Sequence, residues 1–204
     1  MKENLFEIYV KNFDFINQTK MVTANFIPPI QRRRLSELDK NVLAVLNNTM
    51  DEEVQNIVYS SRRGEEQRLM KIIGQYTENN EVSPNVFSGS VHNFPTGFFL
   101  LHTKQPIQYT ALAGGEGSIS NGFLASVISK YDNVIFCYAD VAEGKNFALS
   151  VNFSKIPTKN STKYLVKTGA KDGQEGKFEA FVKLFTSGTD ELQTPLYTIE
   201  RSDG

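Results

Sequence analysis

The sequence predicts a layered α/β domain: a five-stranded, mostly parallel mixed sheet flanked by helices, with a small C-terminal α+β extension. Three observations predict it. Apolar residues recur with a period of two in some segments and of three to four in others. The two kinds of segment alternate up to residue 153, which implies helical crossovers between parallel strands. The last two strong strand segments are joined by a short link, Glu143-Gly144-Lys145, which adds an antiparallel edge.

Residues 5–16 carry Phe, Ile, Tyr and Val in an alternating pattern and read as the first strand. Pro28 and Pro29 open a helix in which Leu35, Leu38, Val42 and Val45 form one apolar stripe, and which should end near Asn47 and Asn48. Residues 55–60, centred on Ile57, Val58 and Tyr59, form a short buried strand. A helix follows Gly64, with Leu69, Ile72, Ile73 and Tyr76 expected to face inward and Glu65 and Glu66 in its first turn. Residues 84–103 read as one further helix, weakened by Pro95 and Gly97.

Pro106 bounds a strand over 107–112, and a glycine-rich turn at 113–117 leads into a helix over 118–129. Strands follow at 133–141 and 147–153. Beyond residue 155 the texture changes. Residues 157–161 and 170–176 read as loops, and 163–167 and 196–199 as short strands; 178–185 fits helix or strand. This divides the chain into a domain over 1–155 and an extension over 156–204 packing on it.

The 204 residues are 40% hydrophobic and 22% charged, enough for one packed core. No apolar run approaches the ~18 residues of a membrane span. The opening MKENLFE has no secretory apolar stretch, so a cytoplasmic protein is expected. One cysteine and two histidines make a structural zinc site unexpected, and a net charge of −1 argues against nucleic acid as a partner. Gly114, Gly115 and Gly117 lack the Lys-Ser/Thr of a phosphate loop, and Glu116 would repel phosphate. No cofactor is expected.

Three ordered motifs stand out: YSSRRGE at 59–65, SPNVFSGSVHNFPTG at 83–97 and YTALAGGEGS at 109–118. Together, across about residues 25 to 155, they resemble the β-ketoacyl synthase-like N-terminal domain family, short relatives of the N-terminal half of thiolase-fold condensing enzymes. The resemblance implies one thiolase-like half. Condensing enzymes place a nucleophilic cysteine on the turn between a strand and a helix, where the helix N-terminus and backbone N–H groups activate it. The family pattern is Ala-Cys, a Gly three residues on, another five further, then an apolar helix. Here Ala113, Gly114, Gly117, Gly122 and Ile128 occupy that register, so Gly114 stands at the nucleophile position and no catalytic residue is expected. The three glycines are expected to permit close backbone approach or positive φ. Cys137, in the apolar run 135–138, reads as a small buried hydrophobe.

Ketoacyl synthases take further active-site histidines from a C-terminal half, whereas here no histidine follows His102. His92 and Asn93 read as structural partners of the neighbouring turn, and His102 as a dipole partner at a helix C-terminus. The resemblance therefore implies a non-catalytic, chain-length-factor-like subunit of a β-ketoacyl-ACP synthase in type II fatty-acid, polyketide or aryl polyene assembly. The partner would be a full-length synthase, or a second copy of this chain. The interface would be the edge strand Ile107, Gln108, Tyr109, Thr110, Ala111 and Leu112. Phe94, Phe98 and Phe99 are candidate liners of an acyl tunnel, with core packing the plainer account.

Arginines 32–34, 62, 63 and 68, and lysines 155, 159, 163, 167 and 171, read first as solvated surface; acyl carrier protein is the acidic partner they could steer. Two alternatives stand beside the subunit reading. One is an acyl-thioester hydrolase using Ser118, or Ser90 with His92. The other is a homodimeric acyl-binding or scaffold module.

Overall fold

The computed structural model describes residues 4–20, 22–169, 176–186 and 189–202. Lys171, and the loop read at 170–176 except for Gly176, lie outside them. In chain order the elements are β1 (Leu5–Gln18), α1 (Pro29–Arg32), α2 (Glu37–Thr49), β2 (Asn56–Ser60), α3 (Glu66–Asn79), α4 (Pro84–Ser88), α5 (Phe94–Thr103) and β3 (Gln108–Leu112). After a short 3₁₀ turn (Gly115–Gly117) come α6 (Ser118–Ile128), β4 (Asn133–Ala142), β5 (Lys145–Ser154), β6 (Thr162–Thr168), α7 (Phe178–Thr186), β7 (Glu191–Gln193) and β8 (Tyr197–Arg201).

The layered α/β class is as expected, but the sheet differs from the five-stranded, mostly parallel one read from the sequence. The described residues form one sheet of eight strands in the order β3-β2-β4-β5-β1-β6-β8-β7. Only β3, β2 and β4 run parallel to one another, β2 joined to β3 through α3, α4 and α5 and β3 to β4 through α6. From β4 onward every pairing is antiparallel. The first strand, although followed by helices, inserts between β5 and β6 rather than beside β2. Residues of the 156–204 segment continue the same sheet through β6, β8 and β7.

The apolar run of β4 is buried on both faces, which is why it lacks polar alternation. Val134, Phe136 and Tyr138 join a core with Ile119, Phe123 and Val127 of α6 and Phe181 and Leu184 of α7. Ile135, Cys137 and Ala139 join a second core with Val42, Val45 and Leu46 of α2 and Phe99 of α5. The sheet is thus sandwiched between α6 and α7 on one side and α2 and α5 on the other. Cys137 is fully buried, and burial pushes its thiol well above the ordinary range.

Local chemistry explains the boundaries the sequence reading placed differently. Ser36 caps α2: its hydroxyl accepts from Asp39 N–H at 3.0 Å, and Asp39 Oδ2 accepts from Ser36 N–H at 2.9 Å. That capping box starts a new helix, so the one expected from Pro28 splits into α1 and α2. Likewise the helix expected over 84–103 breaks into α4 and α5, because Pro95 suits a first turn and not a helix interior. Glu143 and Gly144 turn the β4–β5 hairpin, both at positive φ. Residues 178–185, whose sequence fits helix or strand, lie in helix α7, with Phe181 and Leu184 buried. The largest correction concerns α3: Leu69, Ile73 and Tyr76, expected inward, are each at least half exposed.

What holds α3 is a polar post. Arg68 reaches Asp39 Oδ2 at 2.7 Å, Glu65 Oε2 at 3.3 Å, and the carbonyl oxygens of Arg34 and Gly89. Ser36 donates its hydroxyl to Glu65 Oε1 at 2.6 Å. Two carboxylates share one guanidinium in a buried site. Burial, then the charge of Asp39, push Glu65 up to about 7, against the opposing pull of Ser36 and Arg68. Asp39 is also raised, by burial. Between the ordinary carboxyl value of 4.5 and about 7 the folded chain therefore holds more protons at Glu65 than the unfolded chain. Its contribution to stability is fully present below that window and is lost as pH rises through it. The melting temperature should fall from acid to neutral pH, and Glu65→Gln should flatten that slope. An unchanged slope in thermal melts of the variant would contradict this assignment.

Candidate functional site

In the parallel part of the sheet, the loops after β2 and β3 and the last residues of β4 meet at the carboxyl ends of the strands, where α/β sheets bind ligands. Asp140, almost fully buried near the end of β4, organises the place. It accepts from the Ser61 hydroxyl at 2.8 Å, from the N–H groups of Arg62 and Arg63 at 3.1 and 2.9 Å, and from the Tyr138 hydroxyl. Ser61 Oγ in turn accepts from Gly64 N–H at 2.8 Å. Arg62 pairs with Glu116 across the β3 turn. A cleft of about 570 Å³ opens here, lined among others by Arg62, Glu116, Tyr138, Asp140 and Lys145.

The strand-to-helix turn runs from Leu112 through Gly114 to Ser118. Gly114 N–H donates to Ser118 Oγ at 3.0 Å, the Ser118 hydroxyl donates to Gly115 O at 2.8 Å, and Gly117 N–H donates to Gly114 O at 3.1 Å. Ser118 is buried, its hydroxyl both accepting and donating inside the turn. The three glycines do different work from one another. The positive φ belongs to their neighbour Gly115, at 58°, whereas Gly114 (−140°) and Gly117 (−80°) have negative φ. Close approach belongs to Gly122, where α6 crosses Ser60 and Phe136.

His92 bonds through Nε2 to Leu112 O at 2.7 Å. A carbonyl oxygen only accepts, so Nε2 carries the proton. The ring lies 5.3 Å from that of Tyr59, and Nδ1 faces Gly64. Asn93 donates to the Tyr109 hydroxyl at 3.0 Å. Both residues thus tie the start of α5 to β3. Ser90 donates its hydroxyl to Phe87 O at 2.8 Å. His102 lies in the last turn of α5, stacked on Phe98.

β3 stands at the end of the strand order beside β2, with Gln108, Tyr109 and Thr110 exposed and Ala111 and Leu112 half-buried. Ile107 precedes the strand and packs on the second core. The three phenylalanines part company. Phe94 and Phe98, rings 5.7 Å apart, line a separate groove of about 580 Å³ with Arg34, Leu101 and Lys104, while Phe99 is buried in the second core.

Sequence reasoning missed Asp140 and the Asp39–Glu65–Arg68 cluster. An aspartate closing a buried apolar strand is the signal that could have found the first. Arg62, Arg63 and Arg68, read as solvated surface, pair with Glu116, Glu66 and Asp39 respectively. Among the described residues no cluster of three or more His, Cys, Asp or Glu could hold a metal ion, and no helix is long and apolar enough to cross a membrane.

The sheet is layered between helix pairs and carries a glycine turn at the end of its outermost parallel strand. The family model described as beta-ketoacyl synthase, N-terminal domain, matches residues 9–175, and the chain belongs to that family. Two solved structures share the fold. A chain of the ketosynthase ApeO in complex with its chain length factor ApeC, from Xenorhabdus doucetiae, superposes with a TM-score of 0.73 at 17% identity, covering 96% of this chain and 100% of that one. The ishigamide ketosynthase/chain length factor gives 0.58 at 12% identity over 74% of this chain, which spans 53% of that one. No curated protein sequence matches this chain.

Proposed function

We propose that this chain is a non-catalytic, chain-length-factor-like partner subunit of a β-ketoacyl-ACP synthase in type II fatty-acid, polyketide or aryl polyene assembly. The turn after β3 carries the reading. At the position of the family nucleophile stands Gly114, and the hydroxyl nearest by type, Ser118, is committed to the backbone of the turn. Cys137 is walled into the second core. The relatives of matching fold are a ketosynthase complexed with its chain length factor and a ketosynthase/chain length factor, which supports the same role here.

The free edge of β3 offers a partner unpaired backbone groups, which proteins rarely leave open. In this reading Gln108, Tyr109 and Thr110 pair with the ketosynthase, and Phe94 and Phe98 are the candidates left for contact with an acyl chain. Arg33 and Arg34, whose side chains stay exposed, are the cations placed to steer an acyl carrier protein. Incubation of the purified chain with malonyl and acyl thioesters, followed by intact mass spectrometry, should give no covalent adduct. An adduct abolished by mutating one residue would overturn the non-catalytic reading.

A further inference from the structure

The sequence gives α3 an amphipathic stripe that its own fold leaves uncovered. None of the 14 residues of α3 is buried. Leu69, Met70, Ile73 and Tyr76, with Phe87 of α4 and Val91 just beyond it, are between 43% and 62% exposed. Apolar surface of this extent marks an interaction site on a soluble chain. The helix is held to the body through Arg68, whose guanidinium joins α2, the α3 N-terminus and the carbonyls of Arg34 and Gly89. Such a post fixes the helix without consuming its apolar face.

The stripe begins close to the β3 edge. Leu69 lines the same depression as Ser90, His92 and Gly115, which sets the first residue of the stripe beside the turn that ends β3. Charge on α3 itself balances, Glu66 and Glu78 against Arg68 and Lys71, and the arginines just before it, Arg62 and Arg63, pair with Glu116 and Glu66. An acidic carrier protein would find little there to hold it, whereas an apolar subunit face would. The six side chains expose on the order of 600 Å², against the roughly 800 Å² per partner that a stable interface buries, and the β3 edge adds to it.

We infer that the α3–α4 face is the apolar half of the surface that binds the ketosynthase, continuous with the β3 edge. The inference rests on the partner-subunit reading, since it takes its occupant from there. Its residues are Leu69, Met70, Ile73, Tyr76, Phe87 and Val91.

The test titrates a full-length ketosynthase from the same gene neighbourhood against three forms of this chain. These are the unmodified protein, the double variant Ile73→Glu/Tyr76→Glu, and Ile156→Glu. Ile156 is a control of similar exposure at the opposite end of the sheet, where Lys155 N–H meets Asp132 O beside the start of β4. The double variant should keep its circular dichroism, because both side chains face solvent, and should bind about 100-fold or more weakly. The control should bind like the unmodified chain. Binding of the double variant within about threefold of the unmodified chain would overturn the inference and leave the partner-subunit reading standing. Failure of the unmodified chain to bind the ketosynthase would overturn both. Self-association that the double variant abolishes would then assign the face to a second copy of this chain.

Discussion

Replacing Gly122 with valine should destabilise the chain by about 3 kcal/mol or more, the upper range for forcing extra carbon into a packed core. A Cβ at this position would come within 2.7 Å of Ser60 Cβ and 2.9 Å of Phe136 Cε2, and would press on Ser60 Oγ. Neither neighbour can yield, for Ser60 lies in the wholly buried β2 and Phe136 is fully buried in the core beneath α6. The gain in helix propensity over glycine, under about 1 kcal/mol, does not offset such a clash. Gly114→Cys is the contrasting variant. Its Cβ meets chiefly Asn121 Nδ2, at 2.9 Å, the end of a side chain free to swing aside. Its cost should stay within about 1 kcal/mol. Urea melts of the two variants side by side measure the difference, and equal tolerance would contradict the packing of α6 on β2.

Asp140→Ala should cost about 2–4 kcal/mol, because it strips the acceptor from several donors at once. The Ser61 and Tyr138 hydroxyls and the N–H groups of Arg62 and Arg63 would each lose their partner. The carboxylate joins the end of β4 to the loop after β2, so the loss should be local as well as global. Amide exchange at Arg62 and Arg63 should accelerate more than exchange in β5, whose ladder does not depend on Asp140. A loss of stability below about 1 kcal/mol would show that water replaces the carboxylate and that the loop holds itself.

The segments legible in the sequence were those whose burial follows from local pattern. The stripe at Leu38, Val42 and Val45 packs as its spacing implies, and the run 135–138 is buried on both faces. The strand–turn–helix around Gly114 lies where the motif placed it, with Gly115 rather than its neighbours supplying the positive φ. What the sequence concealed was set by distant partners. The location of β1 between β5 and β6 depends on pairings more than a hundred residues apart, which no local period encodes. β7 is three residues long, too short for its alternation to stand out. The periodicity of α3 is legible, but its stripe faces solvent, since a local period states which face is apolar and not what packs on it. Asp140 and Arg68 are hidden for a similar reason, since Ser61, Arg62 and Arg63 for the one and Asp39 and Gly89 for the other lie on other elements.

The partner-subunit account is tested most directly by native mass spectrometry of this chain mixed with the full-length ketosynthase and an acyl thioester. The account predicts a one-to-one complex in which the acyl group is attached to the ketosynthase and this chain keeps its unmodified mass. Two separate species at micromolar concentration, or an acyl group on this chain within the complex, would contradict it.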